Sequence, residues 1–184
     1  IQGLIQHLSA GMTPVREALR RLIAEGALEA QGNRRISVPR LTRANVDELI
    51  FARQAIDPKL VFMATSNITK ANMAALTAED EALDRAIVAG NIPGYLQHNY
   101  RFHTMLYDIA DAPILRSVAL RMWLQFGPSL RVVCGRVGTQ NLVDEHKEVL
   151  AAMAEGDAER AAAAIRADVL QGMEQVRRTF DVSD

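Results

Sequence analysis

The sequence predicts a mainly α-helical protein: a small N-terminal helical unit with a short β-wing, followed by an all-α antiparallel helical bundle. Three observations carry the prediction. Apolar residues recur with a helical period through almost every segment after residue 42. Only the stretch 28–38 alternates as short strands do. Prolines and glycines stand where helices would begin and end, placing helices at about 2–8, 14–25, 43–66, 70–89, 93–110, 113–135, 140–154 and 158–180.

Residues 2–8 make a short first helix. Thr13 offers a capping hydroxyl to the second, and Pro14 suits its first turn, where the missing N–H would have no partner anyway. Gly26 suits its end. Leu28-Glu29-Ala30 and Ile36-Ser37-Val38 read as two strands around the polar tip Gln31-Gly32-Asn33-Arg34-Arg35, and Pro39 stops their pairing. A domain boundary therefore falls at about residue 41, separating 1–41 from 42–184. Thr42 and Thr69 cap the next two helices, the first of which Pro58 should bend. Pro93 and Pro113 open two more, while Gly90 and Gly156 suit helix ends. The alanine-rich run 151–167 fits close helix packing.

At 184 residues, 49% hydrophobic and 23% charged, the chain has the composition of an ordinary globular protein. It has neither an apolar run of about 18 residues nor a basic-then-apolar leader, so a cytoplasmic protein with no membrane partner is expected. A single cysteine, Cys134, excludes an intramolecular disulfide and a cysteine-rich zinc module, and a buried, inert thiol is its expected state. The net charge of −1 hides an asymmetry. Six arginines against three glutamates give residues 1–41 a balance of +3, which leaves −4 on the remainder. A basic end on an acidic body suits phosphate contact at that end.

The second helix has two distinct faces. At about 100° per residue, Val15, Ala18, Leu19, Leu22 and Ile23 form an apolar face, with Thr13, Arg16, Glu17, Arg20 and Arg21 opposite. Helix-turn-helix proteins lay the N-terminal part of such a helix in the major groove, where arginine contacts guanine edges and hydroxyls hold phosphates. Thr13, Arg16 and Arg20 are the candidate DNA contacts; Arg34 and Arg35 on the wing would meet the backbone or the minor groove. A plain surface helix with an i, i+4 arginine pair has the same periodicity.

Within the bundle, the helix at 93–110 carries the apolar stripe Tyr95, Leu96, Phe102, Leu106 and Ile109, with Asn99 and His103 in its middle. His146 is likewise centred among Leu142, Val143, Val149, Leu150 and Met153. Unpaired buried polar groups cost roughly 1–3 kcal/mol each, so two inward histidines call for partners, either carbonyls of an ordinary core or a shared metal or ligand.

The run Thr13-Pro14-Val15-Arg16-Glu17-Ala18-Leu19-Arg20-Arg21-Leu22, followed by Glu25-Gly26-Ala27-Leu28 and a wing with Gly and Arg, closely resembles the winged helix-turn-helix domain of GntR-family regulators. Two departures accompany the likeness. Met12 stands where the family usually has arginine, and residues 1–8 supply one helix where the family has two, so the domain reads as incomplete. Phe102-His103, Glu145-His146 and Ala154-Glu155-Gly156-Asp157-Ala158-Glu159 resemble the FCD effector domain of the family's FadR-type subgroup. That resemblance implies a divalent metal such as Zn, Ni or Mn, held in many members by one aspartate and three histidines. The matching positions here are Asn99, His103, His146 and Asp168, so a carboxylate is lost at one end and gained at the other. It further implies a small carboxylate effector bound at the metal, with Arg53 as a cationic partner and Tyr100 and Arg131 as further candidates. Arg53 also has Asp57 one turn away, and the i, i+4 ion pair is its alternative role. Trp123 and Phe126 are expected in the core or a dimer contact.

The resemblance thus implies a homodimeric transcriptional regulator, a repressor by polarity, acting on a two-fold symmetric operator and released by a small organic acid. One rival is a helical metalloenzyme built on His103, His146 and Asp168, which leaves the second helix and wing unexplained. No Gly-x-Ser-x-Gly, His-Glu-x-x-His or phosphate-cradling glycine loop supports that rival. A regulator that reads the metal itself is the other.

Overall fold

In the computed structural model, residues 1–32, 35–137 and 145–181 are described. Two short helices, α1 (Gln2–Leu8) and α2 (Met12–Ala24), precede the two-stranded sheet β1 (Glu29–Gln31) and β2 (Arg35–Ser37). Six helices follow: α3 (Arg43–Asn67), α4 (Lys70–Val88), α5 (Ile92–Ile109), α6 (Pro113–Val137), α7 (His146–Glu155) and α8 (Ala158–Asp181). The mainly helical architecture with a small wing is as the sequence predicts. No helix among the described residues is long and apolar enough to cross a membrane.

Between α1 and α2, Ser9 takes a left-handed conformation (φ 49°), and its N–H and that of Ala10 bond back to α1 carbonyls. This tight turn sets the two helices against each other. α2 starts earlier than Thr13 suggests: Gly11 is its N-cap, and Val15 N–H donates to Gly11 O. Thr13 and Pro14 are therefore its second and third residues, still within the turn whose N–H groups lack helical acceptors, which is why the proline is tolerated. Val15 and Leu19 are buried, and Gly26 ends the segment at φ 78°. β1 and β2 pair antiparallel with Ala30 opposite Ile36, one residue off the expected strand bounds. The remainder of the wing tip, Asn33 and Arg34, lies outside the described residues.

Thr42 and Thr69 each close a full capping box, with Asn45 and Asn72 returning the bond. α3 runs unbroken through Pro58 to Asn67, where the Asn67 side chain donates to the carbonyls of Ile109 and Ala110. Asn91 caps α5 by accepting from Gly94 N–H. α3 is central, packing on α5, α6 and α8, while α4 lies on α5 and α7. Ala152, Ala161 and Ala164 are buried where α7 meets α8, the close approach that alanine allows. α7 begins at His146, so the expected start near residue 140 lies outside the described residues.

Candidate metal centre

α5 turns both expected polar residues inward. Asn99 and His103, one turn apart, are buried with Phe102, Leu106 and Tyr107, and His103 is 1% exposed. His146 stands at the first turn of α7, fully buried, and Asp168 enters from α8. The three elements bring His103, His146 and Asp168 together, with one ligand atom of each lying within 4.8 Å of the others. His103 Nε2 is 3.1 Å from Asp168 Oδ2, and His146 Nε2 is 3.6 Å from Asp168 Oδ1. Phe102 stacks on the His146 ring at 3.9 Å between centroids, which fixes its plane. Asn99 adds a buried amide on the face of α5 that carries His103.

Charge is arranged for an anionic Asp168 beside a neutral His103 ring. Burial pushes the Asp168 carboxyl up, but His146, His103 and Arg53 outweigh it and hold the group well below the usual carboxylate range. Burial holds His103 below its ordinary value, with His146 and Arg53 acting the same way against Asp168. Neutral imidazole and ionised carboxylate are the forms that ligate a metal. The residues fit such an ion: two nitrogens and a carboxylate converge in a buried site, and His103 Nδ1 is a buried nitrogen with no hydrogen-bond partner.

Behind the cluster lies a buried cation. Arg53 donates through Nε and Nη2 to the single oxygen Asp57 Oδ2, at 3.0 and 2.7 Å. Its guanidinium sits 4.9 Å from the Trp123 ring centre and 4.4 Å from that of Phe126. Burial lowers its pKa, yet Asp57 and Tyr107 raise it on balance. The ion pair with Asp57 is therefore present, and Trp123 and Phe126 are core residues that form the platform for Arg53. Trp123 also lies 5.2 Å from His103 and donates to Tyr107 Oη.

The other sequence candidates sit apart. Tyr100 is 43% exposed, edge-on to Trp123, in a groove of about 410 Å³ with Arg21, Glu25, Arg116 and Arg121. Arg131 is exposed on α6. Thr13, Arg16, Arg20 and Arg35 are all exposed, on the faces of α2 and the wing away from the buried Val15 and Leu19. Cys134 is buried, and burial pushes its thiol up to about 11.

Two features escape the sequence reading. Asp80, on α4, is buried with Oδ1 3.6 Å from His146 Nδ1; nothing in the acidic run Glu79-Asp80-Glu81 says which residue turns inward. Arg121, on α6, donates from Nε to Glu25 O and from Nη2 to Ala24 O, covering carbonyls at the end of α2. A cation at a helix C-terminus could be anticipated in kind, but its source 96 residues later could not.

The family model described as FCD domain matches residues 48–171. The HTH-type transcriptional regulator McbR of Escherichia coli (strain K12) is 27% identical over 161 residues, 86% of this chain and 73% of that protein. The solved structure of E. coli McbR/YncC superposes with a TM-score of 0.91 at 24% identity, covering 97% of this chain and 86% of that one. A putative transcriptional regulator GntR from Rhodococcus sp. RHA1 gives a TM-score of 0.75 at 16% identity, over 96% and 84%.

Proposed function

Because the chain belongs to the FCD-domain family of GntR-type transcriptional regulators, we propose that it is an operator-binding repressor released by a small carboxylate bound at a divalent metal. The observation that carries this reading is the buried convergence of His103, His146 and Asp168 beside Trp123 on α6, the helix that also holds the end of α2 through Arg121. At the DNA end, Thr13, Arg16 and Arg20 on the open face of α2 read one half-site, with Arg34 and Arg35 on the wing meeting backbone or minor groove. A homodimer supplies the second half-site of a two-fold symmetric operator.

At the other end, His103, His146 and Asp168, with the Asn99 amide oxygen as a weaker fourth donor, would hold Zn, Ni or Mn. When bound, the ion supplies open coordination positions for an organic acid. Arg53 is the buried cation behind the site, with Tyr100 and Arg131 as outer candidates for the effector's far end. Residues 121–126 of α6 carry the coupling: Trp123 and Phe126 face Arg53, while Arg121 faces Ala24 and Glu25. Occupancy shifts operator affinity only insofar as the effector binds one placement of α6 better than the other.

Operator-fragment anisotropy with the purified protein tests this directly. Small carboxylates with Mn, Zn or Ni present should weaken binding about 5–150-fold, the usual range for coupled sites, and should do nothing after metal removal. Release by metal alone would favour the metal-reading regulator. No response to either sinks the proposal.

A further inference from the structure

Asp80 has a position that the metal cluster alone does not explain. It is a carboxylate 4% exposed, on α4, a helix that contributes no member to the cluster of His103, His146 and Asp168. Burying a carboxylate is costly unless a donor faces it. Its Oδ1 has no donor at hydrogen-bonding distance; the nitrogen beside it is His146 Nδ1 at 3.6 Å, slightly beyond a normal N–H···O bond. Lys147 Nζ lies 3.5 Å from Oδ2, but that exposed ammonium is closer to Asp84, at 2.9 Å. Lys147 therefore gives no reason for Asp80 to be inside.

The His146 ring supplies the reason. Phe102 stacks on it and fixes its plane, leaving one edge toward Asp80 and the other toward Asp168. A neutral imidazole has one proton to donate and one lone pair to offer, so a His146 ring that ligates a metal can donate to only one of the two carboxylates. Asp168 is itself in the cluster, and the nitrogen on that side must be bare to ligate a metal.

We propose that Asp80 is a positioning residue that accepts the Nδ1 proton of His146 and so fixes the tautomer whose Nε2 lone pair points into the metal site. The inference rests on the metal reading above. It gives His146 the carboxylate–histidine–metal arrangement in which an outer carboxylate orients the ring and raises its basicity.

The full chain, labelled with 15N-histidine, tests the assignment in two measurements: ring-nitrogen NMR on metal-free protein, and Zn, Ni and Mn affinity by competition with a chromophoric chelator. Wild type should show His146 as the Nδ1–H tautomer. Asp80→Leu removes the acceptor; it should shift the ring toward Nε2–H and weaken metal binding about 10–100-fold, the usual effect of losing such a partner. Asp80→Asn keeps an acceptor oxygen without the charge, so it should keep the tautomer and lose about tenfold in affinity; it carries the test if the leucine variant fails to fold. Asp84→Asn removes the closer partner of Lys147 and should change neither. Unchanged tautomer and affinity in Asp80→Leu, with wild type binding metal, overturn the role of Asp80 alone. Equal losses in Asp84→Asn do the same, assigning the effect to docking of α4 on α7. A wild type that binds none of the three ions overturns the metal reading and, with it, this role for Asp80.

Discussion

Arg53 and Asp57 show how a single pair can be legible as a pattern yet not as an environment. Their i, i+4 spacing announces an ion pair, but on a surface such a pair is worth a few tenths of a kcal/mol. Here the side chains are 5% and 0% exposed and the guanidinium lies against Trp123 and Phe126, which changes the energetics entirely. Removing one partner leaves an uncompensated buried charge. Asp57→Asn, which preserves shape, should therefore cost about 3–5 kcal/mol in urea unfolding. A loss under about 1 kcal/mol would mean that the rings and Tyr107 suffice to hold Arg53. The histidines follow the same logic in reverse. His103 and His146 were legible because a polar residue inside an apolar stripe must face the core, whereas Asp80 was not, because its helix offers three consecutive acids and packing selects one.

Among the elements, the junction between α2 and α6 is held by few groups. Arg121 donates to two carbonyls at the end of α2, and a side chain at Gly26 would come within 2.9 Å of the Gln125 amide nitrogen. Gly26 and Gly90 both have positive φ, at 78° and 61°, where a β-carbon costs about 1–2 kcal/mol. Space separates them: nothing lies within 4 Å of a β-carbon at Gly90. Gly26→Ala and Gly90→Ala should thus both lower stability by about 1–2 kcal/mol, but only Gly26→Ala should also change operator affinity, because only there must an α6 side chain, that of Gln125, move. Equal operator binding by the two variants would show that the α2–α6 contact has no part in DNA recognition. The glycine at a helix end is readable from sequence; the neighbour it accommodates comes from 99 residues further along the chain and is not.

Across the whole molecule, the sequence puts +3 on residues 1–41 and −4 on the remainder. If the basic end meets phosphate, operator affinity should fall linearly with salt on logarithmic axes, by about 0.9 for each phosphate neutralised. Arg35→Ala in a dimer should reduce that slope by about two, and a slope unchanged by the substitution would remove the wing from the interface. The division of information between sequence and fold follows range. Local chemistry wrote the helices, the capping threonines, the glycine ends and the inward faces of α5 and α7 directly into the chain, because caps and apolar periods act within a few residues. It also marked α2 as a helix with one face to dock and one to present. Only tertiary packing decided that α5, α7 and α8 bring His103, His146 and Asp168 within one ion's reach, that α4 sets Asp80 behind His146, and that α6 faces Arg53 on one side and the end of α2 on the other. Those contacts join residues tens of positions apart, and each depends on how whole helices cross, which no local pattern encodes.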